Sequence, residues 1–171
     1  MKYNEELNKQ FVNSLISKYE LNSLENCYYE LQKTYFEEGG KTEFSCISPV
    51  LNLDCVEKLI GRKENRGLGK TMDISFIVSK NNLNSMVFAD FKLNTKVKPS
   101  LRGLISDTER KIAHSNTNYS NDYELFKYKY LIYRKEVTPV AESKINRSFH
   151  NRKHSLKAID IVNFHSLFFN A

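Results

Sequence analysis

The sequence predicts a single α/β domain: a mixed central sheet flanked by helices, with an N-terminal helical extension. Three observations carry this. The chain has 171 residues and 40% hydrophobic content, a length typical of one domain and enough to bury about two thirds of its unfolded surface. Apolar residues recur at helical spacing before residue 36 and at two-residue spacing around residues 71–93. From residue 54 onward the elements read helix, strand, strand, helix, strand, helix, strand, the order of a mixed sheet with helical cover.

The elements follow in chain order. Leu7, Phe11, Leu15, Ile16 and Tyr19 fall at helical spacing, and Leu24, Tyr28, Leu31 and Tyr35 form one stripe over residues 22–36. These helices make up the extension, residues 1–40, which Gly39 and Gly40 close. The stretch "TEFSCIS" (42–48) reads as a short strand. "LDCVEKLIG" (53–61) reads as a helix, with Asp54 as cap and Gly61 as terminator. A polar loop, "GRKENRGLGK", leads to strands at 71–79 and 86–93 joined by "KNNLNS". Pro99 opens a helix with Leu101, Leu104, Ile105, Thr108 and Ile112 on its apolar side. "ELFKYKYLIYRK" reads as a strand and "TPVAESKINRSFHNRK" as a helix with Thr138 as N-cap and Pro139 at its first position. "SLKAIDIVNF" reads as a final strand, so the core spans residues 54–165.

Several function classes are disfavoured at once. No run of about eighteen apolar residues predicts a membrane span, and "MKYNEELNKQF" lacks the apolar segment of a signal peptide. Cys27, Cys46 and Cys55 are odd in number and widely spaced, without C-x-x-C; free thiols in a reducing cytoplasm are the expectation. The net charge of +6 favours anionic partners such as nucleic acid. "GLGKT" (67–71) has the tail of a phosphate-binding loop, but Glu64 stands where its first glycine belongs, and a strand pattern follows where a helix should.

The chemistry sits on the two central strands. Met72, Ile74, Phe76 and Val78 alternate with Asp73, Ser75 and Ser79. On the second strand Phe88, Asp90 and Lys92 share one face, and Val87, Ala89, Phe91 and Leu93 the other. An antiparallel pairing that sends both apolar rows into one core puts Asp73 on the face of Asp90 and Lys92, opposite one or the other depending on register. Two carboxylates about 4 Å apart repel by roughly 4 kcal/mol at an intermediate dielectric. A divalent cation removes that cost, and Mg²⁺ (or Mn²⁺) takes one or two carboxylates together with waters and a substrate phosphate. A neighbouring lysine can hold the attacking water. The bland reading is an ordinary wet face, on which an Asp73–Lys92 pair contributes under about 1 kcal/mol.

Asp73 followed by Asp90-Phe91-Lys92 on the next strand resembles the signature of the PD-(D/E)xK nuclease superfamily, which includes restriction endonucleases and Holliday junction resolvases. The resemblance implies a restriction-endonuclease-like αβββαβ core and metal-dependent hydrolysis of phosphodiester bonds. It implies Asp73 and Asp90 as metal ligands with the Phe91 carbonyl, and Lys92 as the residue that orients water. Glu57, in the helix before the hairpin, matches a further acid that the family often carries. Met72 stands where the family has proline, and the strand expected between Glu57 and Asp73 is missing unless "TEFSCIS" replaces it.

A second feature is the basic stretch Lys144, Arg147, Arg152, Lys153 and Lys157, with His150 and His154 among them. It reads either as phosphate contact or as a solvated basic helix end; the histidines lack the glutamate of a zinc helix. Lys111 could face the site and join Arg147, Arg152 and Lys153 as a nucleic-acid contact, though Glu109 and Arg110 beside it favour a solvated face. Tyr128 and Tyr130 are expected to cover the core edge. The expected function is metal-dependent cleavage of nucleic acid, DNA in the first place, by a chain that could pair as a homodimer. The rival is a non-catalytic nucleic-acid- or partner-binding module on the same scaffold.

Overall fold

The computed structural model describes residues 1–94, 96–98, 100–148 and 155–170. Its strands are β1 (Lys2–Tyr3), β2 (Tyr28–Glu30), β3 (Pro49–Asn52), β4 (Ile74–Lys80), β5 (Leu83–Phe91), β6 (Lys129–Tyr133) and β7 (Leu156–Asp160). Its helices are α1 (Glu5–Lys18), α2 (Leu31–Glu37), α3 (Leu53–Glu64), α4 (Arg102–Tyr119), α5 (Thr138–Arg147) and α6 (Ile161–Phe168). The sheet is mixed and open, in the order β2-β3-β4-β5-β6-β7, with β1 paired to β4. Strands β2 to β5 pair antiparallel, whereas β5, β6 and β7 are parallel. No helix among the described residues is long and apolar enough to cross a membrane.

The β4–β5 hairpin organises the sheet. Its turn is the dipeptide Asn81-Asn82, both residues at positive φ (51° and 65°). Asparagine tolerates that conformation, and such a turn matches the twist of the flanking strands. The turn is tighter than the sequence predicts, so β4 runs to Lys80 and β5 starts at Leu83.

Helices cover the hairpin on both faces from Ile74 to Val78 and from Met86 to Phe91, and its turn end is exposed. Ile74, Phe76, Val78, Val87, Ala89 and Phe91 pack with Tyr35 of α2 and with Phe164 and Phe168 of α6. On the opposite face Ile77, Met86 and Phe88 pack with Phe11 and Leu15 of α1 and with Val56 and Ile60 of α3. Further along that face, Leu131 and Tyr133 of β6 meet Leu101 and Ile105 of the α4 segment and Ala141 and Ile145 of α5. Ile77, Met86 and Phe88, the apolar residues on the row expected to be polar, are what this second layer covers.

Residues 1–40 hold helices α1 and α2 and also give the sheet two short strands, β1 and β2. Strand β3 pairs with β4 at Ile74 and Ser75, and β1 pairs at Val78 and Ser79. Between them the Asn8 amide of α1 bonds both backbone groups of Ile77, accepting from its N–H at 2.8 Å and donating to its carbonyl at 2.9 Å. The predicted helix over 22–36 divides: Glu25–Cys27 form a 3₁₀ turn, Tyr28–Glu30 pair with Pro49–Leu51 as β2, and the α-helix is confined to Leu31–Glu37. The first strand of the αβββ order is "PVLN" (49–52), one step beyond "TEFSCIS". At the chain's end, residues 161–168 are helix rather than strand. Asp160 caps them by accepting from the amides of Val162 and Asn163, and Ile161, Phe164 and Phe168 then fall on one stripe.

The cysteines also depart from expectation. Cys27 and Cys55 form a disulfide with Cα atoms 5.4 Å apart, while Cys46 is free and buried. The fold brings the turn before β2 against the first turn of α3, a proximity that sequence spacing does not encode. Closing a loop of 28 residues stabilises the oxidised chain by about 3–4 kcal/mol in the chain-entropy model. Reduction is expected to lower the urea midpoint accordingly, and Cys27→Ser should give the same midpoint with or without reductant.

Candidate functional site

The site forms where β4 begins and β5 ends. The ladder pairs Ile74 with Ala89; one step further, Asp73 stands opposite Asp90. The Asp73 amide donates to the Ala89 carbonyl at 3.1 Å and its Oδ2 accepts from the Phe91 amide at 2.6 Å. The alternating faces turn Asp73, Asp90 and Lys92 to the side covered by α3 and α4. Asp90 is fully buried. Lys92 Nζ lies 2.5 Å from Asp90 Oδ2, and Lys111 Nζ of α4 donates to both Asp90 oxygens at 3.0 Å. Two lysines therefore neutralise one buried carboxylate.

Asp73 lacks such compensation. Burial and the neighbouring Asp90 charge push its pKa up to about 8, against the pull of the Phe91 amide and Lys111. That shift favours the protonated form of Asp73 at neutral pH. Burial works against the Lys111 charge, but Asp90 and Asp73 outweigh it and hold its pKa above the usual lysine value.

Glu38 is a neighbour that sequence spacing did not single out. It follows the last turn of α2, on an exposed position where partial desolvation and the charges of Asp54 and Asp90 raise its pKa. Gly39, at φ +91°, turns the chain there, a conformation that favours glycine. Asn94, just beyond β5, donates to the Glu38 carbonyl at 3.4 Å and ties that turn to the strand end. A "GG" pair after a helical stripe was the available signal; it marks a sharp turn without saying what the turn faces.

Glu57 has other partners. It is 1% exposed, and its carboxylate accepts from Arg66 Nη1 at 2.6 Å, the Gly69 amide at 2.7 Å and the Tyr119 hydroxyl, and pairs with His114 Nε2 at 3.1 Å. Burial opposes its charge, but these four partners together hold its pKa down at about 2. The residues of "GLGKT" are spent in the same way: Lys70 pairs with Asp107 at 2.5 Å and the Thr71 hydroxyl donates to Asp54 at 2.8 Å. The loop is a clasp joining α3 to α4. A Cβ on Gly69 would meet the His114 ring at 2.1–2.6 Å, so Gly69→Ala is expected to cost about 1–3 kcal/mol by overpacking. Glu57→Ala should cost about 3 kcal/mol, the low end for a broken buried pair because Arg66 is 31% exposed. Chemical denaturation measures both.

The remaining candidates lie apart. Arg147 is exposed in the last turn of α5, and Lys144 donates to the Lys98 carbonyl at 2.8 Å. Arg152, Lys153, His150 and His154 lie outside the described residues, as does Pro99. Lys157 and Lys127 both stand 5.2 Å over the Tyr128 ring, while Tyr130 is in the core. The structure thus brings together Asp73, Asp90, Lys92 and Lys111, with Glu38 at their edge.

Among the described residues no group of three or more His, Cys, Asp or Glu side chains is arranged as a metal cage. Asp73 and Asp90 offer a different donor set, two carboxyl groups with hard oxygen donors standing opposite each other on β4 and β5. That set fits Mg²⁺ or Mn²⁺, which take few protein ligands and keep waters. No family model, no curated protein and no solved structure matches this chain.

Proposed function

We propose that the chain is a Mg²⁺- or Mn²⁺-dependent nuclease of PD-(D/E)xK type that hydrolyses phosphodiester bonds, with DNA as the expected substrate. The observation that carries this reading is the facing of Asp73 and Asp90 across β4 and β5, with Lys92 bonded to Asp90. The surrounding order supports it, since α2, β3, β4, β5, α4 and β6 run αβββαβ with α3 inserted after the first strand. In this reading Glu38, at the end of the first helix of that core, is the further acid, and Glu57 is an anchor.

Asp73, Asp90 and the Phe91 carbonyl would hold the metal. A bound divalent ion supplies Lewis-acid polarisation of the phosphoryl group and a water of lowered pKa. Lys92 donates from Nζ to the attacking water and keeps it in line with the phosphorus. Lys111 stabilises the negative charge that builds on the non-bridging oxygens, in a site dry enough for such contacts to count. Both lysines leave Asp90 in part as they turn to substrate, a rearrangement within reach of their flexible stems. Arg147, with Arg152 and Lys153, would add phosphate contacts that weaken with salt.

One observation favours the rival reading of a binding module: Asp90 already has both oxygens satisfied, so the cluster is self-contained without metal. Nicking of plasmid and single-stranded DNA by purified chain in Mg²⁺, Mn²⁺ and EDTA decides between them. Divalent-dependent cleavage that Asp90→Asn removes supports the nuclease. Nucleic-acid binding without cleavage in either ion supports the module. We place the protein in the cytoplasm in this proposal, where the Cys27–Cys55 bond would be held reduced.

A further inference from the structure

Beside the site lies a cavity of about 250 Å³, walled by Val97, Leu101, Leu104 and Tyr133 with Lys96 and Lys98 at its mouth. We infer that it is a nucleobase pocket, which receives the ring of the nucleotide next to the scissile phosphate. The inference rests on the nuclease reading for the source of the ring, and on the following geometry for the rest.

The cavity shares the face of the catalytic residues. The parallel register pairs Asp90 with Leu131 and Phe91 with Ile132, and the Lys92 amide donates to the Ile132 carbonyl at 2.8 Å. One step on, Tyr133 stands beside Lys92, on the same side of the sheet. The proximity is also electrostatic: burial, and then the Asp90 charge, push the Tyr133 hydroxyl up to about 12. Along α4, Leu104 and Lys111 are seven residues apart, about 10 Å at 1.5 Å per residue. That span places the cavity within one or two nucleotides of a phosphate held at Lys111.

The lining chooses the ligand class. Three aliphatic side chains and an aromatic ring suit a flat heteroaromatic group, which needs no fixed polar partner to stack. The cavity lies just below the roughly 300–1,000 Å³ of pockets that enclose drug-sized molecules, so it suits one ring system rather than a peptide segment. The lysines at the mouth place positive charge where a nucleotide carries its phosphate, while their stems extend the apolar wall. Lys144 of α5 donates to the Lys98 carbonyl at 2.8 Å. A base reaches such a pocket only when it is unpaired, so the preferred substrate is single-stranded or is opened at the cut.

Gly103 provides the test. It lines the cavity, and a Cβ added there meets nothing within 4 Å; in a helix a larger side chain is also better tolerated than glycine. Gly103→Phe should therefore fold normally and fill the mouth. The probe is deoxyadenosine monophosphate at millimolar concentration with the full chain in EDTA, read by saturation-transfer NMR, with inorganic phosphate as competitor. The expected result is saturation of the adenine ring protons, incomplete displacement by phosphate, and at least a tenfold loss of affinity in Gly103→Phe. A Lys96→Ala, Lys98→Ala double variant should lose about tenfold while keeping ring contact. No ring saturation in the wild type, or equal saturation in Gly103→Phe, overturns the pocket. Because the probe is not cut, a chain that cleaves DNA but shows no ring contact refutes this inference alone. Ring contact in a chain that never cleaves leaves the pocket standing and removes the nuclease reading.

Discussion

Asp90→Asn and Lys92→Ala are each expected to lower divalent-dependent cleavage by about 10²–10³-fold or more, and the double variant should be little worse than either. A carboxylate that holds the ion and a lysine that holds the water act as one unit, so removing either leaves the other without a task. The two changes should differ in stability. On a wet face the loss of one charge would matter little, but Asp90 is fully buried and its two lysines are only 12% and 18% exposed. Asp90→Asn strands both ammonium groups against a neutral amide, a loss of up to about 3 kcal/mol. Ionisation of Asp73, released from its repulsion, offsets part of that. Lys92→Ala leaves Asp90 with Lys111 and should cost less. Assays below the variants' melting temperatures separate catalysis from unfolding. Cleavage that survives Asp90→Asn would place the chemistry elsewhere.

The pairing of Asp73 with Asp90 and Lys92 was legible because strand parity is a two-residue rule with few exceptions. The hairpin's apolar rows fixed which side the acids take, and the Asn-Asn turn then set the register. Lys111 was harder to place. It flanks the apolar stripe of α4, three residues beyond Thr108 and seven beyond Leu104, and helical spacing alone does not say whether a flanking lysine meets solvent or a carboxylate. Sequence order alone points Glu57 to the site, because its helix precedes the hairpin. The strand that would have reordered the elements, β3, has four residues, among them Pro49 and Asn52, both poor strand formers. Strands β1 and β2 are shorter still, and segments of two or three residues carry no period to detect. Their position comes from pairing with β4 and β3, which is a property of the assembled sheet. The same applies to the second helical layer. Ile77, Met86 and Phe88 interrupt the polar row of the hairpin, and together they are the available sign that this face is covered too.

Addition of Mg²⁺ to the metal-free protein at pH 7 is expected to release close to one proton per chain. The reason is the proton that Asp73 holds. Its folded pKa of about 8 lies far above the ordinary aspartate value of 3.8. A group raised in this way contributes stability that is present in full below about pH 4 and is lost as the pH rises through 8. The metal-free chain should therefore lose stability steadily across that window, as burial next to Asp90 becomes costly for the ionised form. A divalent ion requires the carboxylate, so it must displace the proton, about 0.9 equivalents at pH 7 for a pKa near 8 and few above pH 9.5. Asp73→Asn removes the titration while keeping the shape: its amide oxygen can still accept from the Phe91 N–H and its amino group can donate to Asp90. That variant should melt higher than the wild type at pH 8 without metal, show little pH dependence from 5 to 9, and gain nothing from Mg²⁺. Titration calorimetry in two buffers of different ionisation enthalpy measures the released proton directly. Binding heats at pH 7 that do not depend on the buffer, or a wild type as stable at pH 9 as at pH 5, would mean that Asp73 is ionised without metal.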